Sequence, residues 1–251
     1  MADGRLSGKR AIVTGGASGF GEGIVRRFVE EGARVAIADL AGERAQALAA
    51  RLGAGCMAVE CDVADEASVG RLFDEVEQAF GGLDIMVNNA GMGLPPAPLE
   101  SMDPATFERL MAVNVRSVYL TSRRAVPLMK AQKAGAILHI ASTGGVSPRP
   151  NLVWYNASKG WMIAAGRAMA AELAPAGVRV NIINPVAGDT PMLATFMGAD
   201  TPEARARFVG SIPMGRLSTP ADIAAAALYL CSDEASLVTG VALEVDGGRC
   251  L

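Results

Sequence analysis

A glycine-rich turn wedged between an apolar run and an amphipathic stretch constrains this chain more than any other feature. Thr14-Gly15-Gly16-Ala17-Ser18-Gly19-Phe20-Gly21 follows Arg10-Ala11-Ile12-Val13-Thr14, which reads as a first strand. Residues 19–31 read as a helix with Ile24, Val25, Phe28 and Val29 on one face, and Gly32 ends it. A second strand over residues 34–38 comes next, with Asp39 at its end.

The alternation continues along the whole chain. Helix, strand and helix run to about Phe80; further strands are expected at residues 84–87, 136–141, 178–183 and 241–245. Strands alternating with helices predict an α/β fold: a doubly wound, seven-stranded parallel sheet with helices on both faces. The near-continuous apolar strands suit a sheet buried on both sides. No linker or composition shift divides residues 1–251, so a single domain is expected. Residues 91–98 and 185–213 read as loops, the second around a helix. Both follow strands at their carboxyl ends, where such sheets bind ligands.

Composition narrows the class. The 251 residues are 51% apolar, enough for a sizeable core, and 20% charged with a net charge of −3. No basic stripe points to nucleic acid, and no apolar stretch approaches membrane-span length. Residues 1–9 lack the apolar core of a signal peptide, so a cytoplasmic location is the default. Cys56, Cys61, Cys231 and Cys250 form no C-x-x-C pair, and His139 is the one histidine, so no metal site is expected. Cys56 and Cys61 read as small buried hydrophobes and His139 as a structural strand residue.

Gly15, Gly19 and Gly21 permit a tight turn and close backbone approach, while the helix amino terminus offers unpaired N–H groups to a pyrophosphate. Asp39, 18 residues after Gly21, is placed to accept from adenosine ribose hydroxyls and would repel a 2′-phosphate. Neither Leu40 nor Ser18 supplies a compensating cation, and Arg44 lies a turn into the next helix. NAD is therefore favoured over NADP. The bland alternative is a strand-to-helix turn with Asp39 as a cap.

Tyr155 and Lys159 lie one helical turn apart and share a face. A free tyrosine titrates near pH ~10; an adjacent ammonium lowers that and suits the phenol to acid–base work. Ser142 is thirteen residues upstream at the end of a strand-like run, and Asn114 lies further back in Met111-Ala112-Val113-Asn114-Val115. Taken singly, Ser142 could merely end a strand and Asn114 merely bond backbone.

Together these residues resemble the short-chain dehydrogenase/reductase family, in its compact single-domain branch with a Rossmann fold. Thr14 to Gly21 is similar to the family's cofactor turn, with Ser18 and Phe20 inside it. Asn88-Asn89-Ala90-Gly91 resembles its N-N-A-G segment, and Val245-Asp246-Gly247-Gly248 its V-D-G-G segment. The resemblance implies that Asp62 touches the adenine amino group with Val63 beside it, and that Asn89, Ala90 and Gly91 line the cofactor site. It implies that Asn114, Ser142, Tyr155 and Lys159 form a catalytic tetrad. Tyr155 would act as general acid/base, Ser142 would bind the substrate oxygen, Lys159 would hold the nicotinamide ribose, and Asn114, on a long helix, would hold a water. Pro185, Gly188 and Thr190 would contact the nicotinamide end. Val186 stands where the family has glycine, which narrows that space, and His139 where it commonly has asparagine.

The reading that follows is an NAD-dependent oxidoreductase of a secondary alcohol or ketone: a small alcohol, a cyclic diol or a sugar. The alternatives are a 3-oxoacyl-thioester reductase serving acyl-carrier protein, for which Lys130 and Lys133 offer cations, and a non-catalytic dinucleotide-binding regulator. Expected substrate walls are Leu94, Pro95, Pro96, Arg149, Trp154 and residues 191–212. Met192, Leu193, Phe196 and Met197 have lid-like helical spacing within 186–213, or pack as core. Arg149 either meets a substrate anion or is simply solvated. Family resemblance implies a homo-oligomer, commonly a tetramer. Ala164, Ala165, Ala168, Ala170 and Ala171 suit close packing either between subunits or within one.

Overall fold

Successive side chains of a strand point to opposite faces of its sheet. In β1 (Arg10–Thr14), Ala11 and Val13 enter one core cluster and Ile12 enters another. In β2 (Arg34–Asp39), Val35 and Ile37 join the first cluster, Ala36 and Ala38 the second. Both faces of the sheet are thus apolar, and both are covered. The computed structural model describes residues 4–198 and 201–251. Residues 1–3 of the amino-terminal stretch and residues 199 and 200 of the expected lid lie outside the described residues.

The remaining strands are β3 (Cys56–Glu60), β4 (Ile85–Asn88), β5 (Gly135–Ile140), β6 (Val178–Pro185) and β7 (Ala242–Val245). They form one sheet in the order β3-β2-β1-β4-β5-β6-β7, every neighbouring pair parallel. The first core cluster packs α1 (Gly19–Glu30), α2 (Gly42–Leu52) and α9 (Pro220–Cys231) on one face. The second packs α3 (Glu66–Phe80), α5 (Ser117–Gln132) and α6 (Val153–Leu173) on the other. This is the doubly wound single domain that the alternation predicts. Chain direction across the sheet reverses between β1 and β4, which opens a crevice at the carboxyl ends of those strands.

Two local features depart from the sequence pattern. β6 runs two residues past Ile183, because Asn184 and Pro185 pair with Glu244 and Val245 of β7. An Asn-Pro step ordinarily reads as a strand breaker. α4 (Pro104–Met111) runs into α5 through a π-helical turn over Ala112–Arg116, so Asn114 sits on a bulge rather than on a regular helix.

His139 is fully buried in β5, and its Nδ1 meets Asn88 Nδ2 at 3.1 Å. Thr121 Oγ1 donates to Asn88 Oδ1 at 2.7 Å. Burial, then the charge of Lys159, pushes the imidazole down to about 4, so it is neutral at physiological pH. The four cysteines are unpaired; Cys61 and Cys231 are buried, and burial pushes the Cys231 thiol up to about 12. Among the described residues, no helix is long and apolar enough to cross a membrane.

Candidate active site

The crevice beside β1 and β4 widens into a cleft of about 630 Å³. Gly15, Ser18, Gly19 and Phe20 form its floor after β1. Gly15 and Gly19 both have positive φ, 60° and 55°, a conformation that side chains with a Cβ rarely adopt. Gly21 is not on the wall. It lies underneath, where a Cβ would stand 2.0 Å from the Gly15 carbonyl oxygen, so it lets α1 pack against the turn it follows.

Asp39 and Leu40 line the end of the cleft at β2. The Asp39 carboxylate accepts from Ala17 N at 3.0 Å and Ala41 N at 2.9 Å, which ties the glycine turn to the end of β2. Neither bond caps a helix: the amino termini of α1 and α2 carry no side-chain cap bond, so the capping alternative does not describe Asp39. Arg44 is exposed on α2 and is not on the wall. Asp62 and Val63 line the same end. Asp62 Oδ2 pairs with Arg109 at 3.2 Å, and Arg109 also lines the cleft. Nothing local marks Arg109, which lies 47 residues away on α4.

Asn89, Ala90 and Gly91 border the middle of the cleft. Asn89 is locked to the glycine turn: its side-chain nitrogen donates to Thr14 O and Gly15 O, and Thr14 Oγ1 accepts from the Asn89 and Ala90 amides. Ser142, Tyr155 and Lys159 share the far wall. Lys159 Nζ donates to Ile140 O at 2.9 Å and lies 6.0 Å from the centre of the Tyr155 ring. Burial pulls the Lys159 ammonium down to about 8. Burial also pushes the Tyr155 phenol above its ordinary value; a hydrogen bond with Ser142 and the charge of Arg149 pull it back. In the protein alone, therefore, it is Arg149 and Ser142 rather than Lys159 that oppose the cost of a buried phenolate.

Asn114 is off the cleft wall and fully buried. Its Oδ1 accepts from Met92 N at 2.7 Å, and its Nδ2 donates to Met92 O at 3.0 Å and to Ser158 Oγ at 3.1 Å. A Cβ on Gly91 would stand 3.4 Å from Lys159 Nζ and 3.5 Å from Asn114 Oδ1, so both groups lie on the same side of Gly91.

Pro185, Val186, Gly188 and Thr190 close the cleft from β6. Among the described residues, only Lys133 and Asn151 are non-glycine residues with positive φ, so Val186 holds ordinary backbone and does not need the freedom of glycine. A Cβ on Gly188 would meet the Phe20 ring at 2.2 Å, and Thr190 stands over Gly19. α7 (Leu193–Met197) brings the Phe196 ring within 5.0 Å of the Tyr155 ring, edge-on. Met192 and Leu193 also line the cleft, while Met197 does not.

Among the other expected walls, Arg149 lines the cleft. Pro95 and Pro96 point to solvent, and Leu94 is buried away from the cleft. Trp154 is half-buried and off the cleft wall; it packs against the cluster of Leu94, Leu110, Leu152 and Tyr155, its ring edge-on to Phe107 and its Nε1 donating to Leu99 O at 3.1 Å. Met92, Gly93 and Thr143 line the cleft without having been marked by any motif.

The donors and openings fit a dinucleotide. The glycine floor bars side chains at the helix amino terminus, a carboxylate stands at the end of β2, and a buried ammonium lies at the opposite end. Residues 15–249 match a family model described as enoyl-(acyl carrier protein) reductase. The chain is 46% identical to 4-formylbenzenesulfonate dehydrogenase of Comamonas testosteroni, over 97% of this chain and 98% of that one. It is 38% identical to cis-4-hydroxycyclohexanecarboxylate dehydrogenase of Sinomonas cyclohexanicum, over 95% of each. Among solved structures it resembles a 3-ketoacyl-(acyl-carrier-protein) reductase from Brucella melitensis complexed with NADH, with 48% identity, a TM-score of 0.93, and coverage of 98% of this chain and all of that one. With the glycine floor, the acid after β2 and the Tyr155–Lys159 wall joined by likeness along nearly its whole length, the chain belongs to the short-chain dehydrogenase/reductase family and is an NAD-dependent oxidoreductase acting on CH–OH groups.

Proposed function

We propose that Tyr155, Ser142, Lys159 and Asn114 carry the oxidation of a small secondary alcohol, cyclic diol or sugar, and the reverse reduction of its ketone. One observation carries the proposal: Tyr155, Ser142 and Lys159 line the same wall of the cleft whose other end holds the glycine floor and Asp39. The ring-hydroxyl substrate named for the Sinomonas relative supports it.

Bound NAD supplies the hydride acceptor. Ser142 Oγ is fixed by accepting from Gly144 N at 3.0 Å, and its one proton, shared with Tyr155 in the protein alone, turns to the substrate oxygen when substrate is bound. The Tyr155 phenolate takes the hydroxyl proton in oxidation, and the phenol returns it in reduction. Lys159 would hold the ribose hydroxyls and pass the proton from Tyr155 to a water held beside Asn114. Phe196 excludes water from Tyr155, which strengthens every charge interaction inside the site. On the cofactor side, Gly15, Gly19 and Phe20 would hold the pyrophosphate, Asp39 the adenosine ribose, and Asp62 the adenine edge.

The test is NAD reduction, followed by absorbance, across secondary alcohols, cyclic diols and aldoses. Tyr155→Phe should lower turnover by about 10²–10⁴-fold while NAD still binds. Equal turnover in wild type and variant would sink the assignment of Tyr155.

A second reading, reduction of a 3-oxoacyl thioester, is favoured by the named activity of the Brucella structure. Acetoacetyl thioester reduction by NADH tests it. Lys130 and Lys133 do not help that reading. They are exposed just before β5 begins, at the end of the sheet opposite the cleft. NAD binding without turnover on either panel would leave a non-catalytic regulator.

The proposal extends to a cytoplasmic homotetramer built on α5 and α6. Exposed Tyr119 and Trp161 on these helices, with exposed Ala164, Ala168 and Ala171, support it; Ala170 faces the core instead. Sedimentation at working concentration tests the assembly, and a monomer would overturn it.

A further inference from the structure

Arg149 stands at the substrate end of the cleft without a carboxylate partner among the described residues. Arg149 is half-buried, lines the cleft, and makes no ion pair with any of the described residues. Its guanidinium lies over the Phe208 ring of α8 (Pro202–Gly210) at 5.1 Å. Arg249, in the carboxyl-terminal segment, is near enough that its charge disfavours the Arg149 cation, and burial disfavours it further. The acids beside Arg249 are engaged elsewhere. Asp246 accepts from Gly248 N and Cys250 N, each at 2.8 Å, and Glu244 accepts from Asn184 at 3.3 Å.

Arg149 is also held in place. Asn156 Nδ2 donates to the Arg149 carbonyl at 2.8 Å, and Asn156 adjoins Tyr155 on α6. The neighbouring Asn151, with φ 63°, passes its carbonyl to Ala97 N at 2.9 Å. The Arg149 backbone is thereby anchored beside α6, and its guanidinium is near enough to Tyr155 for its charge to favour the phenolate. A half-buried cation repelled by a second cation and offered no carboxylate is an unfavourable arrangement unless an anion joins it.

We propose that Arg149, with Arg249 behind it, binds a carboxylate or sulfonate on the substrate and thereby places the carbinol against Tyr155. The proposal rests on the alcohol-oxidising reading above and names its substrate class: hydroxyl compounds that carry an oxyanion group at the far end. Phe208, stacked on Arg149, makes α8 part of the same clamp.

The test compares matched pairs with the full-length protein. Cyclohexanol is set against the same ring bearing a carboxylate opposite the hydroxyl, and a benzylic secondary alcohol against its para-sulfonate. Wild type should prefer the anionic member of each pair in kcat/KM. Arg149→Met should reduce the anion-to-neutral ratio by about 10- to 100-fold, the size of a lost charge-assisted bond. Arg149→Lys should restore part of it, and Arg249→Ser should reduce it less. The ratio cancels any change in folded fraction or in Tyr155 that affects both members. A carboxylate preference without a sulfonate preference would identify the oxyanion as planar. An unchanged ratio, or a wild-type preference for neutral substrates, would overturn the clamp.

A binding measurement separates this outcome from failure of the alcohol reading. With NAD-loaded Tyr155→Phe protein, calorimetry of the ring carboxylate should show binding that Arg149→Met weakens at least tenfold. If no alcohol is oxidised but this difference is present, the clamp stands and the reaction assignment fails. If the difference is absent, the clamp fails regardless of turnover.

Discussion

Asn114 pairs with the backbone of Met92 through both ends of its amide, accepting from the amide nitrogen at 2.7 Å and donating to the carbonyl at 3.0 Å. The side chain thereby acts as a strand partner for the segment that leaves β4 past Gly91. The π-helical turn over Ala112–Arg116 carries this residue between α4 and α5. Met92 and Gly93 line the cleft, so Asn114 shapes the floor beside the substrate from behind the wall.

Asn114→Ala should therefore destabilise the fold as well as slow the reaction. Each Met92 group left without a partner costs about 1–3 kcal/mol. Hydrogen exchange at the Met92 amide should accelerate, and kcat should fall at least tenfold. Normal protection of that amide in a slow variant would assign Asn114 to chemistry alone.

Gly21→Ala should damage the cofactor floor without touching the cofactor wall. The new Cβ would press on the Gly15 carbonyl at 2.0 Å and on Asn89 Nδ2 at 2.5 Å, contacts that force the turn to move. Overpacking of this kind costs about 1–3 kcal/mol. Calorimetry should give an NAD Kd raised at least tenfold; a Kd within twofold of wild type would refute this.

His139 sets an acid limit on stability. The imidazole titrates near 6.5 when unfolded and at about 4 when folded, so the unfolded chain binds the extra proton first. The contribution is complete above pH ~6.5 and is lost as pH falls toward 4, about 3 kcal/mol in all. His139→Asn should flatten the unfolding free energy across that window. An unchanged slope would mean that the loss comes from other groups.

Lys159 carries a functional burden of the same sign at the alkaline end. Its folded value of about 8 lies below its ordinary 10.5, so stability rises with pH between those limits. At neutral pH the buried ammonium is charged at a stability cost. Lys159→Met should remove that slope and unfold at higher denaturant at pH 7, by about 1–2 kcal/mol once the orphaned Ile140 carbonyl is counted. Turnover should collapse in the same variant. A destabilised variant with the slope intact would contradict the burial argument.

Sequence by itself determined the architecture and the roster of candidate groups at the site. Strand and helix periods are local, so the alternation, the seven parallel strands and the glycine turn could be read residue by residue. Tyr155 and Lys159 were legible as a pair because one helical turn separates them. The family likeness of short motifs marked Ser142, Asn89 and Asp39 as well. Tertiary packing decided the partnerships. Asn114 found Met92, Arg109 found Asp62 across 47 residues, Phe196 packed on Tyr155, and Arg149 came to line the cleft over the Phe208 ring. Tertiary packing also set Trp154 against Phe107 and off the cleft wall, and sent Lys130 and Lys133 to the wrong end of the sheet for the cleft. These outcomes depend on where layers of helix meet the sheet and on how deeply each charge is buried. Both are properties of the packed whole, and no local period in the chain encodes them.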